Sequence, residues 1–199
     1  MRRVFLCALM TALCLLPSGC SVAGSRDKAD ELALGIRTQY IAMNACAGQV
    51  ALTADYGERV YEYVLSFSYE KENCLTLTVV EPANLAGITA KVENGSTTLQ
   101  YDGVVLETGP LSGTGLSPID ALPALLTYAK EGYIAECGME QLGEVSCLRI
   151  SCRDPNAKPG EGEEGALWFD AGTHDLVKGE ISSDGYVVVR CEFQEFSLQ

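Results

Sequence analysis

The sequence predicts an α+β protein in which two amphipathic helices accompany a long run of antiparallel strands within one domain. Three observations predict it. Apolar residues recur at helical spacing in two separate stretches. Between and after those stretches the period falls to two, the signature of half-buried strands. Short Asn-Gly and Asp-Gly turns join the strands, and turns of that length connect antiparallel neighbours. The 199 residues are 47% hydrophobic and 21% charged, which is enough apolar material for one core.

Ala29, Leu32, Ala33, Ile36, Tyr40 and Met43, with polar residues between them, predict a helix over 26–44. Ser25 is its expected N-cap and Gly35 its weak point. From Gln49 the pattern alternates through Val50, Leu52 and Ala54 to a turn at Tyr56-Gly57. Tyr61, Tyr63, Leu65, Phe67 and Tyr69 then share one face of a long strand. Leu75, Leu77 and Val79 follow a turn at Glu72-Asn73. Hairpins are signalled at Asn94-Gly95, between Ile88/Ala90/Val92 and Thr97/Leu99/Tyr101, and at Asp102-Gly103 before Val104 and Leu106. A Gly- and Pro-containing connection over 108–119 leads to Leu122, Leu125, Leu126 and Ala129, which predict a second helix over 121–131. Asp120 is its expected N-cap and Gly132 its C-cap, with Pro123 in the first turn, where no N–H is needed. Strands are expected again over 133–139, 144–152, 166–170, 176–181 and 186–196.

The N-terminus carries the clearest signal. Met1-Arg2-Arg3 precedes an apolar stretch over 4–16, then Pro17-Ser18-Gly19-Cys20. The stretch is shorter than the roughly 20 residues of a spanning helix. It resembles a bacterial lipoprotein signal, which implies cleavage before Cys20 and a diacylglycerol on its thiol. An ordinary secretory signal cut nearby, or an unprocessed anchor, is the alternative. In this sequence Leu16 stands four residues before the cysteine and Pro17 takes the place three before it, where the lipobox expects leucine. The expected organisation is thus a signal over 1–19, a lipidated tether over 20–25 and one domain over 26–199. Several acyl chains on one cysteine hold a protein stably at a membrane. Membrane attachment is expected through that lipid, and no cofactor is expected besides it.

Lys and Arg total 14 against 27 Asp and Glu, a net charge of −13, and loss of Arg2 and Arg3 with the signal takes this to −15. Phosphate binding requires clustered cations, so a nucleic-acid partner is excluded as the main reading. Of nine cysteines, Cys7, Cys14 and Cys20 belong to the signal and anchor. The other six permit up to three disulfides, or stand as buried thiols. Cys46 and Cys74 begin strands separated by a third, about 10 Å apart and beyond a disulfide's reach. Cys137 and Cys147 are symmetric about Leu142, which makes them the candidate bridge across a hairpin.

The order helix, strands, helix, strands resembles the LolA and LolB family of periplasmic lipoprotein-sorting proteins over nearly all of the mature chain. The resemblance rests on the opening helix, Leu99-Gln100-Tyr101-Asp102-Gly103, the segment Ala166-Leu167-Trp168-Phe169-Asp170-Ala171-Gly172-Thr173, and the final strand from Asp184-Gly185-Tyr186 to Phe193-Gln194-Glu195-Phe196. It implies a strongly curved antiparallel sheet, an unclosed β-barrel, with the N-terminal and mid-chain helices on its concave face. That face would line a cavity for acyl chains, lipoprotein lipid or another hydrophobic ligand. Tyr61, Tyr63, Leu65, Phe67 and Tyr69 with Leu122, Leu125 and Leu126 are its expected wall; an ordinary packed core explains the same residues. A LolB-like role as an anchored lipoprotein acceptor further requires an outer membrane.

Other chemistry is thin. His174 is the one histidine, placed between two strands without a Gly-x-Ser-x-Gly elbow or a second histidine, and reads as a turn residue. Cys147 and Cys152 fall on opposite faces of a strand and suit no zinc site. Gly113-Thr114-Gly115 lacks the remainder of a phosphate loop, and the acidic loop over 160–165 lacks the ligand order of a calcium loop. No catalytic or metal-binding residues are assigned. The expected function is that of a non-enzymatic, lipid-anchored envelope protein that binds a hydrophobic ligand; a protein-interaction module with a filled core is the alternative. The sequence does not fix the oligomeric state.

Overall fold

The computed structural model describes residues 22–71, 74–93 and 96–199, with side chains from Lys28 onward. The signal segment, Cys20, and the turns at Glu72-Asn73 and Asn94-Gly95 lie outside the described residues. Helix α1 (Val22–Ala42) leads into β1 (Ala45–Asp55), β2 (Val60–Glu70), β3 (Cys74–Glu81), β4 (Thr89–Glu93), β5 (Ser96–Tyr101) and β6 (Val104–Gly109). Helix α2 (Pro118–Glu131) is followed by β7 (Ile134–Leu142), β8 (Val145–Arg153), β9 (Glu163–Asp170), β10 (Leu176–Ser183) and β11 (Tyr186–Leu198).

All eleven strands form one antiparallel sheet in the order β6-β5-β4-β3-β2-β1-β11-β10-β9-β8-β7. Each half of the chain folds as a meander, and the two are fused where β1 pairs with β11, from Cys46↔Leu198 to Ala54↔Val189. The sheet curves around its core without closing, so β6 and β7 remain as free edges. This is the fold class expected from the sequence.

Ala29, Ala33, Ile36, Tyr40 and Met43 are buried, as their spacing requires, and α1 lies against α2, β7 and β8. The helix begins at Val22, so Ser25 lies inside it rather than capping it, and the predicted tether over 20–25 is helical from its third residue. In α2 the N-cap is Ser117, whose side chain accepts from the Asp120 N–H at 3.3 Å, with Pro118 in the first turn. Asp120 is therefore a first-turn residue, not the cap, and Pro123 falls in the helix interior. Gly132 does close the helix, at φ −57°, and a Cβ there would meet the Tyr128 carbonyl oxygen at 2.8 Å and the Cys152 sulfur at 2.9 Å. Close approach, not a left-handed backbone, requires glycine.

Between Gln49 and Val50 the β1·β11 register slips: Gln49 faces Glu195, and Val50 faces Phe193. Gln194 is the extra residue of a bulge, which turns Phe193 and Phe196 to the same face. Both rings pack on Phe67, with centroids 5.9 and 5.8 Å away, and Phe196 stacks on Tyr40 at 6.2 Å. On the convex face Trp168 is only 5% exposed, because Arg149 and Lys178 lie over its ring and its N–H donates to Glu140 at 2.9 Å.

The candidate bridge fails on register. Cys137 pairs with Ile150 and Cys147 with Glu140, because the hairpin turns at Gly143-Glu144 rather than about Leu142. Cys137 therefore shares the helix-bearing face with Ile150, and its sulfur lies 3.0 Å from an Asp30 oxygen of α1. Cys147 is a free, fully buried thiol on the other face, so the pair is not bridged. Cys46 and Cys74 are unbridged as expected, and Cys152 joins the core while Cys147 does not.

Candidate hydrophobic-ligand cavity

Helix α1 fills the concave face over β7 and β8, and α2 lies over β1, β9, β10 and β11. Beyond the start of α2 the concave face of β2–β5 is not filled. A cavity of about 320 Å³ opens there, walled by Tyr63 and Leu65 of β2, Leu77 and Val79 of β3, Ala90 of β4 and Leu99 of β5. Leu85 and Ile88 of the β3–β4 loop and Ser117, Pro118 and Ile119 complete it. The strand residues converge because of register: Leu65 faces Val79, Leu77 faces Ala90, and Ala90 faces Leu99. The loop is held in place by backbone bonds, the Val79 N–H donating to Ile88 and the Gly87 N–H to Val79, both at 2.9 Å.

Of the eight expected wall residues, Tyr63 and Leu65 line this cavity and six do not. Tyr69 and Leu126 line a separate cleft of about 130 Å³ between β2 and α2, where the Lys130 ammonium donates to the Tyr69 hydroxyl at 2.6 Å. Phe67 belongs to the aromatic core, and Leu122 and Leu125 are 1% and 0% exposed within it. Tyr61 shares the face but is exposed, its ring 5.9 Å from that of Tyr56. The cavity is thus covered by the start of α2 and the β3–β4 loop, and not by α1. The pattern had shown apolar faces on β3, β4 and β5; what it lacked was the pairing that sets those faces beside Tyr63 and Leu65.

Toward the free edge the same concave face continues through Leu106, which pairs with Leu99, and through Tyr101 and Val104, which pair with each other. These three are 59%, 52% and 68% exposed, an apolar apron beside the cavity. At the other end the Tyr56 hydroxyl donates to the Leu116 carbonyl at 2.8 Å, tying the β1–β2 turn to the segment before α2. Burial, then the neighbouring Tyr63 and Tyr61, holds the Tyr56 proton more tightly than usual.

His174 sits in the β9–β10 turn at φ 66°, with Nδ1 2.7 Å from the Gln39 side-chain oxygen, and contributes nothing to the cavity. Among the described residues no group of three His, Cys, Asp or Glu side chains is placed to hold a metal ion, and no helix is long and apolar enough to cross a membrane. The cavity can desolvate an apolar chain; its wall carries no acid–base pair for chemistry.

No family profile matches the sequence, and no curated protein matches it. Solved structures do share its fold. An uncharacterized conserved protein from Thermus thermophilus is 9% identical, over 86% of this chain and 88% of its own, with a TM-score of 0.51. A LolA superfamily protein from Nitrosomonas europaea is 11% identical over 86% and 93% of the two chains, with a TM-score of 0.45. The lipoprotein LppX from Mycobacterium tuberculosis is 14% identical over 88% and 96%, with a TM-score of 0.48. At 9% identity the likeness to the Thermus thermophilus protein is one of fold.

Proposed function

We propose that this protein is a non-enzymatic, lipid-anchored cell-envelope protein that holds a hydrophobic ligand in the open end of its curved sheet. The apolar cavity under the start of α2 is the observation that carries this reading. Burial of a ligand there is favourable by about 25 cal/mol per Å² of apolar surface removed from water, before ordering costs. Cys20 stands two residues before Val22, where α1 begins, so lipid on Cys20 would hold the domain against the membrane surface. Replacing Cys20 with alanine is expected to release the protein from washed membranes; retention in the membrane fraction would count against the anchor.

Native mass spectrometry of residues 21–199, prepared without detergent, tests the ligand. Adducts of lipid mass are expected, and they should be lost in Leu99→Glu, where the half-buried side chain lets a charge enter the cavity wall without passing through the core. A bare mass with no uptake of added lipid would turn the reading to the alternative, a protein-interaction module. The exposed row Val104, Val105 and Leu106 on a free edge strand favours that alternative, since such an edge can pair with another chain.

A further inference from the structure

We infer that the cavity takes one aliphatic chain of about a dozen carbons, carried on an uncharged head group, and excludes anionic amphiphiles. This rests on the hydrophobic-ligand reading above and narrows it.

Size sets the chain. An apolar cavity of about 150 Å³ holds benzene, roughly 25 Å³ per carbon. By that measure 320 Å³ accommodates about a dozen carbons, one chain and not two. Carbons beyond that number would lie on the apron of Tyr101, Val104 and Leu106, which stays wet on one side and returns less per methylene.

Charge sets the head. Among the described residues no basic side chain is in the cavity wall to pair with a carboxylate or phosphate, and the whole chain carries −13. The one feature that could attract an anion is the N-terminus of α2 at Ser117, Pro118 and Ile119. Of its first-turn donors, Pro118 has no N–H and the Asp120 N–H is taken by the Ser117 side chain at 3.3 Å, and the same turn carries an acidic residue. An anion there finds a helix end whose donors are already largely used. An uncharged head group requires no counter-charge there.

The test is calorimetric titration of the full chain, as processed in the cell and purified without added lipid, with straight-chain alcohols of 8 to 16 carbons and with the matching fatty-acid anions at pH 8. Affinity for the alcohols should rise roughly fourfold per methylene and level off near 12 carbons, with each anion at least tenfold weaker. Ala90→Leu, and the smaller Ala90→Val should the first fail to fold, ought to move the plateau to shorter alcohols. A rise that continues through 16 carbons, anions that bind as well as alcohols, or a plateau that Ala90 variants leave in place would each overturn the inference while the hydrophobic-ligand reading stands. Failure of every alcohol and every anion to bind would overturn both.

Discussion

Arg37 reaches from α1 to the last turn of α2, where its guanidinium donates to the carbonyls of Tyr128, Ala129 and Gly132 at 3.3, 3.3 and 2.6 Å. The Tyr128 carbonyl already accepts from the Gly132 N–H at 3.1 Å, whereas those of Ala129 and Gly132 lie past the last helical donors; all three are at the negative end of the helix dipole, so a cation there both satisfies and neutralises them. Hydrogen bonds from a charged donor contribute roughly 1.5–3 kcal/mol, and partial exposure places this group toward the low end. Arg37→Met should therefore lower stability by about 1–2 kcal/mol and the melting temperature by several degrees, read by thermal circular dichroism; an unchanged melting temperature would show that water replaces the guanidinium. The buried thiols give a second expectation. Burial pushes Cys46 up to about 11, against a smaller pull from Lys130, and Cys152 up to about 11, against Arg37. Cys191, with burial alone, rises to about 12. An ordinary thiol at 9.0 ionises first in the unfolded chain, so between pH 9 and about 11 the native state keeps protons that the unfolded state has lost. Stability is intact below pH 9 and declines as pH rises through that window, and Cys191→Val should shallow the decline of the urea midpoint between pH 8 and 11. A midpoint flat across that range would mean the thiols are hydrated in the native state.

Two glycines show how the same substitution takes opposite signs on different elements. Gly35 stands exposed in α1 with nothing near its missing Cβ, whereas a Cβ on Gly48 would lie 2.0 Å from the Glu195 carbonyl oxygen of β11. Gly35→Ala should stabilise by about 0.5–1 kcal/mol through helix propensity. Gly48→Ala forces β1 and β11 apart beside their bulge and should destabilise by about 1–3 kcal/mol. Chemical denaturation of the two variants checks both signs at once, and a Gly48→Ala protein as stable as the parent would mean the bulge is not rigid. The same elements mark what was legible in the sequence. Helical spacing located both helices, and the Asp102-Gly103 and Asp184-Gly185 hairpins form with positive φ at both residues, as their chemistry dictates. The Gln194 bulge was not legible: Phe193 and Phe196 stand three residues apart, a spacing that reads equally as two side chains on opposite faces of a regular strand. Nor was the true extent of α2: Ser117 and Asp120 are both good caps by type, and only the backbone chooses between them. The cavity was half legible for a related reason. Alternation assigns Tyr63, Leu65, Leu77 and Leu99 to faces, but which face residues are covered depends on where α1 and α2 come to rest.

At the scale of the molecule, the two halves of the sheet are unequally supported. The β1, β11 and β10 strands have partners on both sides and carry fully buried residues such as Val50, Leu52, Ile181, Val189 and Cys191. β7 is an edge, yet α1 packs against it. β6 is an edge without that support, and no residue from Val104 to Gly109 is buried. Local opening follows buried contacts and backbone pairing, so amide exchange should proceed from 104–109 first, to 134–142 next, and to 45–55 and 186–198 last. Hydrogen exchange read by mass spectrometry on those peptides checks the order, and earlier exchange of 134–142 would show that α1 does not hold the β7 edge. This gradient also locates where a ligand can act. Leu99 joins the cavity wall to β5, which pairs directly with β6, so the least stable part of the sheet borders the site. A chain bound against Leu99 adds buried apolar contact where there is least of it, and its binding free energy is felt most by the openings it prevents. Saturation with dodecanol should therefore slow exchange in 96–109 while leaving 186–198 unchanged. Uniform slowing across the sheet would mean that the molecule opens as one unit and that the free edge has no independent motion for a ligand to quiet.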